Sequence, residues 1–65
     1  MEEEELRTRL AQLQIEHRDL DAAIDALTRA GSPDMLQVAR LKKRKLGLKD
    51  QIAHIEDYLL PDIIA

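Results

Sequence analysis

From Leu6 onward the apolar residues of the first half fall at Leu6, Leu10, Leu13, Leu20, Ile24 and Leu27, with His17 in the one gap. Counting His17, the intervals run 4-3-4-3-4-3. An average spacing of about 3.5 residues is the coiled-coil repeat, so these are a and d positions of an amphipathic helix, with His17 at an a site. The second half has the same pattern at Val38, Leu41, Leu48, Ile52, Ile55 and Leu59, and Lys45 fills the missing a position. Each seam therefore carries one polar interruption.

Between the seams lies Ala30-Gly31-Ser32-Pro33-Asp34. Gly31 is placed to end the first helix in the left-handed conformation, Ser32 to cap the second, Pro33 to occupy its first turn and Asp34 to face the positive end of its dipole. A single uninterrupted helix is the alternative, but glycine plus proline would cost it about 4 kcal/mol. A short connection makes neighbouring helices antiparallel. Folded back at this point, Leu27 meets Val38, Ile24 meets Leu41, Leu20 meets Lys45, His17 meets Leu48, and Leu6 meets Leu59. The expected fold is thus all-α: an antiparallel, coiled-coil-like two-helix hairpin that can pair into a four-helix bundle. Residues 1–65 form one domain in this reading, with helix 1 at about 3–30, the turn at 31–33, helix 2 at about 34–60 and a tail at 61–65. Pro61 stops the second helix near Leu60. The tail Pro61-Asp62-Ile63-Ile64-Ala65 reads either as a cap over the open end or as a small hydrophobic handle.

Length changes this picture. At 65 residues, a chain without a staple rarely draws more than about 3–5 kcal/mol from its core. With no Cys, Trp or Phe, there is no disulfide, no thiolate ligand and no cysteine nucleophile. No apolar run suffices for a membrane span, and Met1-Glu2-Glu3-Glu4-Glu5 has the wrong sign for a targeting peptide. A cytoplasmic protein with no membrane partner is expected.

A second apolar stripe bears on function. Ala39, Leu46, Ala53 and Leu60 recur every seven residues at b positions, with Met35 one turn earlier, on a flank that the first helix does not fully cover. Ala11, Ile15, Ala22 and Ala26 form a small-residue strip outside the first seam. Covering the second stripe with another copy of the chain, or with a different protein, remedies a thin core. Gly47, at a c position, either permits close approach of a second chain or is simply tolerated facing water.

Charge divides unevenly. Residues 1–30 hold 8 acids and 4 bases, and residues 31–65 hold 5 acids and 6 bases. All six of those bases lie in the stretch Arg40, Lys42, Lys43, Arg44, Lys45 and Lys49, facing Glu16, Asp19, Asp21 and Asp25. In the antiparallel register Lys45 reaches from the seam toward Asp21, while Asp21 and Lys42 share facing e positions. His17, Asp21 and Lys45 are accordingly the polar residues expected to set register, His17 through a hydrogen bond to Asp21 or another neighbour. The alternative use of the basic run is nucleic-acid contact through Arg40, Lys42, Lys43, Arg44 and Lys49. The acidic balance, the lack of interleaved aromatics and the neutralising first helix weigh against it.

No catalytic, cofactor-binding or metal-ligating residues are expected. His17/Asp21 and Asp50/His54 have i,i+4 spacing, but the register keeps the two histidines more than a turn apart. Nucleophile-elbow, phosphate-loop and HExxH motifs are missing from the sequence, and a two-helix hairpin encloses no pocket of the usual size.

Glu16-His17, Leu20-Asp21 and Ile24, followed by Leu41-Lys42-Lys43-Arg44-Lys45-Leu46, Leu48-Lys49-Asp50 and Ile52, resemble the YdcH-like family of small bacterial proteins with a domain of unknown function. The likeness covers about residues 6–60, and the ending at Pro61 also resembles some members. It implies a cytoplasmic bacterial helical hairpin whose biochemical role is not established, and it supplies no catalytic or ligand residue.

Overall fold

The computed structural model describes residues 2–59. Two helices, α1 (Glu3–Arg29) and α2 (Met35–Leu59), pack along one another as an antiparallel hairpin, and the described residues contain no strand. The molecule measures 46 × 26 × 15 Å. That length is close to the roughly 40 Å of one 27-residue helix at about 1.5 Å per residue. An uninterrupted rod would be about twice as long.

The two heptad seams meet as the spacing requires. Leu13, Ile24, Val38 and Leu48 are buried, and Leu6, Leu10, His17, Leu20, Leu27, Leu41, Lys45, Ile52, Ile55 and Leu59 are half-buried. Only two described residues outside the seams share that half-buried state, Pro33 beside the corner and Glu56 near the end of α2. Among the described residues Val38 is the most deeply covered side chain, at 2% exposure. The core is a single line of aliphatic contacts with two polar side chains set into it.

At the start of α1, Glu2 occupies the N-cap without a side-chain capping bond. Glu3, Glu4 and Glu5 in the first turn complement the positive end of the dipole, and Arg7 reaches back to Glu3 at 3.0 Å. Arg29 closes the helix with an i,i+4 pair to Asp25 at 3.1 Å, its positive charge lying at the negative end.

The corner differs from the sequence-based assignment in three ways. First, the connection spans residues 30–34 rather than the expected 31–33. Second, Asp34, not Ser32, is the N-cap of α2. Its Oδ1 accepts hydrogen bonds from the backbone N–H groups of Leu36 (3.0 Å) and Gln37 (3.1 Å), while its carbonyl accepts that of Val38 (3.0 Å). A carboxylate serves two orphan donors at once and adds charge at the positive pole, which a serine hydroxyl does not. Pro33 then stands just before the cap, with Val38 four residues past it, the two positions of a hydrophobic staple. Third, Gly31 does not adopt a left-handed conformation. The chain leaves α1 through an extended Ala30 (φ −61°, ψ 148°), whose N–H donates to the Leu27 carbonyl at 3.2 Å. No described residue has positive φ, and a Cβ built on Gly31 would meet open space.

Candidate interaction face

The seam brings together the three polar residues singled out from the heptads, but in two different ways. Lys45 enters at an a position and its Nζ donates to Asp21 Oδ1 at 2.6 Å. The lysine stem lies half-buried along the seam while its head reaches the exposed carboxylate on the other helix. That hydrogen bond and the ammonium charge hold the Asp21 carboxyl below its ordinary value. Desolvation opposes the shift, and the nearby His17 adds slightly to it. Asp21 therefore takes Lys45 as its cross-helix partner rather than Lys42, and one further pair, Arg44 to Glu16 at 3.5 Å, bridges the helices.

His17 departs from expectation. Its Nε2 is buried and has no hydrogen-bond partner. The a position points the imidazole inward, between helices that offer mostly aliphatic side chains at that level, and Asp21 is turned toward Lys45. His17 borders an open groove with Gln14 and Arg18 of α1 and Lys49, Ala53 and Glu56 of α2. His54 borders separate grooves on the opposite flank, with Arg9 and Asp50, and with Leu6 and Tyr58. Among the described residues no three His, Asp or Glu side chains are grouped to hold a metal ion.

The second apolar stripe lies on the outside of α2. Leu46 is 67% exposed and Met35 63%, with Ala39 and Ala53 also exposed. Leu60, the last residue of that repeat, lies outside the described residues, as does the tail from Pro61. In the α1 strip, Ala11, Ile15, Ala22 and Ala26 all face solvent. Two exposed residues escaped the sequence reading: Leu36 at 75% and Tyr58 at 74%. Leu36 directly follows Met35 and enlarges the same apolar end of α2. Its f position carried the signal, but heptad bookkeeping treats f as a water-facing site.

The basic run is exposed apart from the half-buried Lys45. Arg44 and Lys45 are engaged with α1, whereas Arg40, Lys42, Lys43 and Lys49 make no ion pair among the described residues. Arg40 and Lys43, three residues apart, are neighbours on the outer surface of α2, and Lys42 and Lys49, seven apart, share the flank on the other side of the b stripe.

Residues 10–56 match the family described as protein of unknown function (DUF465). The chain belongs to this family. DUF465 includes the YdcH-like proteins, in agreement with the motifs around Glu16-His17 and Leu41–Leu46. The matched segment of this DUF465 chain contains the corner, both polar seam residues and both cross-helix ion pairs. No curated protein and no solved structure matches the chain. No helix among the described residues of the DUF465 hairpin is long and apolar enough to cross a membrane.

Proposed function

We propose that this protein is a non-catalytic interaction module that self-associates through the outer face of α2, formed by Met35, Ala39, Leu46 and Ala53. The observation that carries the reading is Leu46, a large aliphatic side chain 67% exposed between two alanines on a face its own α1 leaves open. Exposed aliphatic residues repeated at heptad spacing are what helix–helix association uses, and small residues beside a large one let a second helix approach. The thin seam adds a thermodynamic reason. Four buried side chains among the described residues make a small core, and binding that occurs only in the folded state adds stability by mass action.

Sedimentation equilibrium at micromolar concentration tests the reading. The expected outcome is a dimer that Leu46→Glu converts to a monomer, with helicity by circular dichroism unchanged because Leu46 lies outside the intramolecular seam. A wild-type chain that stays monomeric and folded across the concentration range refutes it. So does a dimer indifferent to Leu46→Glu.

A further inference from the structure

The charges of α2 are segregated along its length, in a pattern that the hairpin itself does not use up. From Met35 to Lys49 the helix carries Arg40, Lys42, Lys43, Arg44, Lys45 and Lys49 and no acid; from Asp50 to Leu59 it carries Asp50, Glu56 and Asp57 and no Lys or Arg. The ion pairs to α1 engage only Arg44 and Lys45. Lys42, Lys43, Glu56 and Asp57 form no ion pair among the described residues, and all four belong to the e and f positions that flank the b stripe. The exposed apolar face is thus bordered by cations at one end and carboxylates at the other.

Resting on the proposed self-association, we infer that the second copy lies antiparallel, α2 against α2, about a two-fold axis at Lys49–Asp50. Antiparallel helices that share one face bring e against e and f against f. With the axis at that point, Leu46 of each copy packs on Ala53 of the other, Lys42 comes opposite Glu56, and Lys43 comes opposite Asp57. All three matches place the axis within one residue of the same position, and the large-on-small apolar contact occurs twice by symmetry. A parallel arrangement in register would bring e against f and set Lys42 against Lys43 and Glu56 against Asp57, like charge against like. Two contacts at the axis are unfavourable, Lys49 against Lys49 on the e flank and Asp50 against Asp50 on the f flank, like pairs that the remaining contacts must outweigh.

The chain contains no cysteine, so single-cysteine variants report the arrangement directly. Lys49→Cys lies beside the axis, and its two copies are expected to form an intermolecular disulfide under mild oxidation, since this bond needs Cα atoms about 4.4–6.8 Å apart. Ala39→Cys is expected to form none, because its two copies would stand about 30 Å apart at about 1.5 Å per residue. Sedimentation equilibrium of Lys42→Glu should show several-fold weaker association, and the double variant Lys42→Glu/Glu56→Lys should restore it. Circular dichroism verifies that each variant keeps the hairpin. A dimer that crosslinks through Ala39→Cys, or that fails to crosslink through Lys49→Cys, overturns this arrangement while leaving self-association standing. A monomeric wild-type chain overturns both.

Discussion

Replacing Gly47 with alanine should make the hairpin more stable, by an amount that follows from its surroundings. Gly47 sits near the middle of α2, in a helix that runs without interruption from Met35 to Leu59, and is exposed. Its φ is not positive, and a Cβ added there meets no atom within 4 Å. The substitution therefore introduces neither strain nor overlap, and what remains is backbone entropy. Alanine restricts the unfolded chain and favours the helix by about 0.8–1.0 kcal/mol relative to glycine. For a domain of this size, a gain of about 1 kcal/mol raises the melting temperature by roughly 4–8 °C. The measurement is thermal and urea unfolding followed at 222 nm, at concentrations low enough that association contributes nothing. In the antiparallel dimer proposed above, the c position of Gly47 lies beyond the flanking e and f positions, so the association constant should not change. Unchanged or lower stability in Gly47→Ala would refute the continuous-helix reasoning. A stabilised hairpin that dimerises more weakly would show that the second copy approaches across Gly47 instead.

Two further outcomes follow from the polar residues of the seam. His17→Leu should raise the urea midpoint, because it removes a buried ring nitrogen that lacks a partner and whose burial costs on the order of 1–3 kcal/mol; a lower midpoint would mean that the imidazole is satisfied after all. The Asp21–Lys45 pair predicts a specific acid limb. The Asp21 carboxyl is held below its ordinary value in the folded state, mainly by the Lys45 hydrogen bond and then by its charge, so its contribution to stability is present above the unfolded value and is lost as pH falls through the folded one. Lys45→Met should remove that part of the acid dependence, which a comparison of urea midpoints between neutral and acid pH would reveal; an identical acid limb in the variant would show that other carboxylates account for it.

The heptad seams were readable because a single physical demand, a continuous apolar edge, selects the residue at every third or fourth position. Leu13, Ile24, Val38 and Leu48 are buried for that reason, and Lys45 is half-buried, its long stem supplying apolar surface in place of an aliphatic side chain. The reach from Lys45 to Asp21 was legible too, since the antiparallel register leaves few carboxylates within a lysine's length. The corner was less so. Ser32 and Asp34 are both good caps, separated only by Pro33, and sequence preference alone ranks them closely; the choice falls to Asp34 because its carboxylate takes two backbone donors. Gly31 misled because glycine permits a left-handed residue without requiring one. The vacant nitrogen of His17 was also hidden, since the carboxylate one helical turn along from it, Asp21, answers to a residue 24 positions away. The pairing of Arg44 with Glu16 depends on side-chain rotamers that spacing does not specify.

The five-residue corner also orders the way the arms come together. Each contact between α1 and α2 encloses a loop centred on residues 30–34, and that loop lengthens with every layer away from the bend: Lys45 and Asp21 are 24 positions apart, Arg44 and Glu16 28. Because closing a loop costs more entropy the longer it is, by about 0.6 kcal/mol for each doubling, the inexpensive first closure is the one beside the Asp34 cap, where Val38 is already the best-covered of the described side chains. The hairpin accordingly zips from its bend toward its open end and frays in the reverse direction, with Leu6 and Leu59 the first layer to part.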